Sequence, residues 1–564
     1  MSKLLVGVLL LSLYLLPAAG AIGTADLPSP TAAAPGNSGE YVVLYAADTP
    51  LEAARAAIAA AGGTIVRENG AVGVATVRTT RADGFFLQIL RRAPAIAGAT
   101  VSVPLGRVSE RATVAREIEP GTQPTTPPDN GGPSSGSDPL SALQWDMRAI
   151  GATPEGAYAV QGGDGRVLVG VIDTGVDGSH PDIAPNFDTA RSRNFVTDSV
   201  ELDGACTYAT CIDPADEDDN GHGTHVAGTI AAARNGLGIV GVAPNVTIVN
   251  LRAGQDSGKF LLQPTVDALT YAGDIGVNVV NMSYYIDPWL YNCPANAADS
   301  AEAQQAQRTT IEATQRALDY ARSRGVVLVA AAGNEHSDLD AVAVDTVSPN
   351  FPDGAAYRRT IDDSCLSMPA EGRGVIAVAA TGPSGRKAFY SNYGLAHADI
   401  AAPGGDSFDY YGTAQYQPTK NRILAPYPRK LLLASGEIDA QGQITPRGTA
   451  VVRDCRGEIC AYYRYLEGTS MAAPHVAGVV ALIVSEYGSP GRRHPDGLAL
   501  SPSTVEQILY RTADQRACPT ERPYTYPGLS GATGAAYAAL CDGDTRHNSF
   551  YGAGIVNAAR AVGR

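Results

Sequence analysis

Basic charge is scarce in this sequence. Lys and Arg total 42 against 57 Asp and Glu, a formal net charge of -15. A general binder of nucleic acid or anionic membrane needs a basic face, so neither partner is expected. Long apolar runs are scarce as well. The one candidate, Leu4–Leu16, falls short of the ~20 residues that a helical span requires. Charged residues are only 18% and hydrophobic ones 45%, a balance too apolar for a disordered chain. The 62 Gly and 37 Pro lack the strict repeat that a collagen helix demands.

What is present divides the 564 residues into unequal parts. At ~150 residues per domain, that length allows three to four units. Lys3, the apolar run after it and the small residues Ala19 and Ala21 form the charged, hydrophobic and cleavage regions of an export signal over 1–21. The protein is therefore expected to be secreted, where its eight Cys can form disulfides. Residues 22–39, rich in Ala, Pro, Gly and Ser, read as a loose segment. Residues 40–108 read as a small α+β, ferredoxin-like unit of order β-α-β-β-α-β, with strands at 40–45, 64–66, 71–77 and 100–103 and helices at 51–61 and 82–92. Residues 109–138 contain little to bury and read as an exposed linker of the kind proteases cut.

From Pro139 to Arg564 apolar strand runs alternate with helical stretches. Runs at 166–172, 246–251, 277–282, 326–331 and 374–380 predict a parallel twisted sheet covered by helices on both faces. In such sheets reactive groups gather beyond the carboxyl ends of the strands. Four motifs fall there: Val171-Ile172-Asp173-Thr174-Gly175, Asn220-Gly221-His222-Gly223-Thr224-His225, Ala330-Ala331-Ala332-Gly333-Asn334-Glu335 and Gly468-Thr469-Ser470-Met471-Ala472. Singly, each has a structural explanation as a turn or a helix cap. Together they put Asp, His and Ser in one chain, in that order, flanked by small residues that let a substrate backbone approach.

These motifs resemble the subtilisin-like serine peptidases, the subtilases, over roughly 139–564, and Tyr551-Gly552-Ala553-Gly554-Ile555-Val556-Asn557 extends the match. The resemblance implies that Ser470 is the nucleophile, His222 its general base and Asp173 the group that orients the imidazole. Asn334 would supply an oxyanion donor, and catalysis would use no cofactor. It implies that Ser257, Gly258, Ser283 and Tyr285 pair with a protein or peptide substrate as an added strand, with Ala331 and Gly333 lining the P1 pocket. Tyr285 departs from the family, which has Gly there. The unit at 40–108 is similar to the family's propeptide, an intramolecular inhibitor. The loop after the His222 helix matches the family's calcium loop in length, which implies a structural Ca²⁺ held by Asp182, Asn235, Ala233, Leu237 and Ile239. A non-catalytic peptide-binding protein of the same fold is the alternative.

His222-x-x-His225 lies close to acidic residues 216–219, but no Glu stands between the two His, so the zinc peptidase motif fails. His225 and His475 read as structural residues. Relative to a compact subtilase, insertions are expected near 335–372 and 405–464. Eight Cys allow 105 pairings. Proximity along the chain favours Cys206–Cys211, Cys455–Cys460 and Cys518–Cys541, which leaves Cys293 with Cys365.

Overall fold

The structure, a computed structural model, describes residues 39–81, 83–102, 138–529 and 531–564, without the side chains of 83–85 and 531–533. The expected export signal, nearly all of the loose segment and nearly all of the linker lie outside the described residues.

Residues 39–101 form a four-stranded antiparallel sheet in the order 63–69, 74–79, 39–45, 96–101, with helices Leu51–Ala61 and Asp83–Leu90. The expected element order holds. The apolar run Tyr41-Val42-Val43-Leu44-Tyr45 is buried on both faces because successive side chains point to opposite sides of a strand. Tyr41, Val43 and Tyr45 pack with Ile58, Val77 and Phe86 beneath the unit's own helices. Val42 and Leu44 join Val72 and Val74 in a second cluster with Ala268, Leu269, Ala272 and Ala317, which belong to the larger part of the chain. The last strand is Ile96–Val101 rather than 100–103. Its Ala-Gly-Ala sequence has weak strand propensity. The small residues are used for close approach: a Cβ on Gly98 would stand 2.4 Å from Thr309 Oγ1.

The larger part is built on a seven-stranded sheet in the order 400–403, 375–381, 327–331, 279–282, 168–172, 247–252, 193–194, with every pairing parallel. Val169, Val171, Val279, Val327, Val329 and Val378 face helices His222–Ala231 and Thr469–Tyr487. Ile172, Val249, Leu251, Val280 and Leu328 face helices Leu262–Ile275 and Ala301–Ser323. The two edge strands, Ile400–Pro403 and Arg193–Asn194, were not expected from the sequence. They are short, and Pro403 and Arg193 are atypical of buried strands. The order of strands along the chain switches sides at strand 168–172, with 247–252 and 193–194 on one side and 279–282, 327–331, 375–381 and 400–403 on the other. A crevice therefore opens at its carboxyl end.

Both expected insertions carry secondary structure of their own. A three-stranded antiparallel sheet joins 423–426, 459–466 and 451–456. Strands 343–345 and 359–361 pair within the other insertion. Arg359 anchors it, fully buried between Asp299 at 3.0 Å and Asp345 at 3.1 Å. All eight Cys pair as proximity suggested, Cys293 with Cys365 included. Among the described residues one helix, Thr469–Tyr487, is long and apolar enough to cross a membrane, and it is 94% buried as a core helix.

Candidate active site

Asp173 follows strand 168–172 directly, and His222 opens its helix beside it. His222 Nδ1 lies 2.7 Å from Asp173 Oδ1, with both groups buried. Asp173 Oδ1 also accepts from the Thr174 amide at 2.8 Å, which fixes the carboxylate's rotation. Close packing of the two segments requires glycine at 223, where a Cβ would stand 2.0 Å from the Gly175 carbonyl oxygen.

Ser470 is the second residue of helix Thr469–Tyr487, and its hydroxyl donates to the Ser283 carbonyl at 3.3 Å. Four residues on, Pro474 lacks the amide that would normally bond to the Ser470 carbonyl. The Ser283 hydroxyl donates to that carbonyl instead, at 3.0 Å, and itself accepts from Asn281 Nδ2 at 2.9 Å. Proline inside the helix thus ties the Ser470 turn to the end of strand 279–282. The helix N-terminus also presents its positive dipole end at this position.

Asn334 lies at the end of strand 327–331. Its Oδ1 accepts from the Thr469 amide and the Thr469 hydroxyl, both at 2.9 Å. Two donors on one oxygen fix which end of the side-chain amide is which, so Nδ2 is the outward-facing donor. A Cβ built on Gly468 would stand 3.5 Å from Asn334 Nδ2 and 3.6 Å from the Ser470 amide nitrogen. Asn334 Nδ2 and the Ser470 amide nitrogen therefore lie close to one another beside Gly468. Thr469, which also accepts from the Gly333 amide at 3.1 Å, was missed at sequence level.

Ser257 and Gly258 form a turn after strand 247–252. The Gly258 amide donates to the Gln255 carbonyl at 2.9 Å, and Asn220 Nδ2 ties the turn to the His222 segment through the Asp256 carbonyl at 3.0 Å. Tyr284 stacks on Phe260 with centroids 4.0 Å apart. The Tyr285 ring packs against Leu290, Tyr291 and Cys293, and its hydroxyl accepts from Asn350 Nδ2 at 2.7 Å. Burial pushes its pKa well above 10. Ala331 and Gly333 stand at the end of strand 327–331 beside Asn334.

His225 serves a structural role. Its Nε2 faces the Ile423 and Arg464 carbonyls at 3.2 and 3.1 Å, and burial lowers its pKa to about 3. His475 bridges the Met471 carbonyl and Asp146 Oδ2 at 2.8 and 3.0 Å. In the acidic loop, Arg252 meets Asp213 at 2.9 Å and Lys430 meets Asp219 at 2.8 Å, so two cationic side chains offset part of its charge.

The loop bearing Ala233, Asn235, Leu237 and Ile239 does not fit the calcium ion that resemblance implied. Asp182, which would lead the site, accepts from the Tyr463 hydroxyl at 2.7 Å, the Ile239 amide at 3.1 Å and Asn235 Nδ2 at 3.2 Å. The Asn235 and Gly236 amides turn to Asp138, and the Gly238 amide turns to Asp454. A Cβ on Gly238 would fall 1.7 Å from the Tyr463 hydroxyl, so the tyrosine enters the loop. Hydrogen-bond donors, rather than oxygen ligands, point at the carboxylates. Tyr463 comes from the second insertion, which the sequence could not align with this loop.

A buried serine at a helix start, a histidine held by a carboxylate and paired N–H donors on a parallel sheet define the serine peptidase class. The chain belongs to the subtilase family, whose match (Peptidase_S8) runs over residues 164–554. It is 30% identical over 360 residues to a thermophilic serine proteinase of Bacillus sp. (strain AK1), covering 64% of this chain and 59% of that protein, so it spans about three fifths of that relative. It is 28% identical over 382 residues to thermitase of Thermoactinomyces vulgaris, covering 67% of this chain and 91% of thermitase. Among solved structures, the epidermin leader peptide processing serine protease EpiP from Staphylococcus aureus superposes with a TM-score of 0.60 at 21% identity, over 93% of this chain and 98% of that one. At that identity the likeness speaks to fold alone.

Proposed function

We propose that this chain is the precursor of a secreted serine endopeptidase that hydrolyses peptide bonds in protein or peptide substrates through a Ser470 acyl-enzyme. The observation that carries this reading is the 2.7 Å bond between His222 and Asp173, formed at the same sheet edge that holds Ser470 and Asn334. His222 takes the proton from Ser470 as the hydroxyl attacks the substrate carbonyl, and returns it to the leaving amine. Asp173 keeps the proton of the imidazole on Nδ1 and stabilises the imidazolium. The Asn334 side-chain amide and the Ser470 backbone N–H receive the negative oxygen of the tetrahedral intermediate. Water then hydrolyses the ester with His222 as base. Substrate lies along Ser257-Gly258 and Ser283-Tyr284-Tyr285, with its P1 side chain beside Ala331 and Gly333.

The small unit at 39–101 acts as an inhibitory propeptide, and maturation cuts the chain in or near 104–138. Its docking supports this reading. Asn69 Nδ2 donates to Asp267 Oδ1 at 2.8 Å and to Thr270 Oγ1 at 2.7 Å, Arg67 pairs with Asp267, and Arg316 donates to the Tyr45 carbonyl at 2.8 Å. Export is supported by the signal-like first 21 residues and by four disulfides.

The test is covalent labelling of the expressed full chain with a fluorophosphonate serine probe. The expected result is one label on Ser470, absent in Ser470→Ala and strongly reduced in His222→Ala. Label retained by Ser470→Ala contradicts the nucleophile. No label on folded wild type favours the non-catalytic peptide binder.

A further inference from the structure

The loop that carries Asn334 is backbone that does not hold itself. Gly333 has φ +104°, and His336, which has a side chain, has φ +57°. A left-handed residue of that kind persists only where surrounding contacts over-determine it. Five hydrogen bonds of residues 332–337 go to one buried residue outside the four motifs, Asn392, which is 1% exposed. Asn392 Oδ1 accepts from the Glu335 amide at 3.0 Å and the Ser337 amide at 2.8 Å. Its Nδ2 donates to the Ala332 carbonyl at 3.0 Å and to Glu335 Oε2 at 2.8 Å. Its backbone amide donates to the Gly333 carbonyl at 2.9 Å. Glu335 Oε2 in turn accepts from the Asn334 amide at 2.9 Å.

These contacts form a chain from Asn392 Nδ2 through the Glu335 carboxylate to the backbone of Asn334. Contact is tight enough to dictate sequence as well: a Cβ on Gly333 would stand 2.3 Å from Asn392 Nδ2. Thr469 fixes only the side-chain oxygen of Asn334, so the backbone from which that side chain springs needs a second anchor. Asn392 supplies it on both flanks, at 332–333 and at 335–337.

We propose that Asn392 is a positioning residue for oxyanion stabilisation, acting through Asn334 and never touching substrate. This rests on the reading of Asn334 as an oxyanion donor. Preorganised donors stabilise charge only while they are held in place, and a displacement of ~1 Å can cost about 10²-fold in rate.

The experiment is a double-mutant cycle on the full chain, matured by added wild-type enzyme where a variant does not process itself, with kcat and KM read on a peptide anilide and melting temperature read in parallel. Asn334→Ala is expected to lower kcat by about 10²–10³-fold, a range taken from subtilisin itself. Asn392→Ala alone is expected to lower kcat by roughly 10- to 100-fold. In the Asn334→Ala background it should cost less than about twofold, because the donor it positions is already gone. Asn392→Asp, of nearly the same shape, keeps the Oδ1 acceptor but sets a carboxyl oxygen against Glu335 Oε2 and the Ala332 carbonyl in place of the Nδ2 donor, and is expected to show the same non-additivity. It keeps the test open where the alanine variant does not fold. Multiplicative losses in the double variants would assign Asn392 a purely structural role and overturn the proposal. A wild-type kcat in Asn334→Ala would instead overturn the oxyanion reading beneath it.

Discussion

The chain carries two sheets that are buried for different reasons. The seven-stranded sheet is covered by helices continuous with it on both faces, and its carboxyl edge is tied together by side chains from distant segments. The four-stranded sheet covers one face with its own helices and borrows the other cover, leaving Val42, Leu44, Val72 and Val74 against helices 262–275 and 301–323. The first arrangement holds reacting groups still. The second joins a unit that has its own core to a partner through an apolar face and a few polar ties, which is how separable partners are built.

Predictions from this contrast begin at the rigid edge. Ser470→Ala removes the nucleophile, and peptide hydrolysis should fall by about 10⁶-fold, the loss known for the equivalent deletion in subtilisin. Measurable turnover near wild type would break the contrast at once. At the separable contact, Arg67→Ala leaves Asp267 buried and without its cation. The Arg67 side chain is 34% exposed and Asp267 keeps its bonds from Asn69 and Gln263, so the cost should be about 1 kcal/mol and weaken inhibition of the mature enzyme by residues 39–101 by about fivefold. Inhibition kinetics with the two parts on separate chains would read this. An unchanged inhibition constant would show that the apolar face alone holds the unit.

Acidification should act on the larger part. Burial lowers the pKa of His225 to about 3 and that of His336 to about 3, so each of these two groups binds fewer protons folded than unfolded between about pH 3 and 6.5. Their contribution to stability is fully present above pH 6.5 and lost as pH falls, with a slope of up to about 1.4 kcal/mol per pH unit for each. Burial raises the pKa values of Asp182, Asp256 and Glu467 to about 7 and those of Asp399 and Asp406 to about 6, which opposes that fall in the same window. The measurement is therefore a difference: the melting temperature of His225→Asn relative to wild type should rise as pH is lowered from 6.5, and a pH-independent difference would contradict the assignment. A further effect concerns the 233–239 loop. Tyr463→Phe should cost about 1–2 kcal/mol by removing a donor to buried Asp182, whereas a chelator should leave the melting temperature unchanged. A large loss of stability in chelator would restore calcium to that loop.

Legibility in the sequence followed the same division. Buried parallel strands announce themselves as apolar runs, and five were read within two residues of their observed bounds. Asp173, His222, Asn334 and Ser470 stood out because each is polar at a strand end or helix start among small residues. Strand 400–403 and the onset of strand 96–101 were hidden by Ala and Gly, which carry little periodicity. Thr469 and Asn392 act through bonds to segments between 55 and 136 residues away in sequence, and a one-dimensional reading carries no sign of them. The 233–239 loop misled for a related reason. Its own residues match a calcium loop, but Tyr463 and Asp454 come from an insertion that resemblance to compact relatives could not place.

The central claim is that Asp173, His222 and Ser470 act as one unit. A proton NMR titration of the full chain, observing the Nδ1 proton of His222, tests it most directly. The account predicts a strongly downfield resonance that is absent in Asp173→Ala and shifted when a serine-directed phosphonate occupies Ser470. A resonance unaffected by both changes would contradict it.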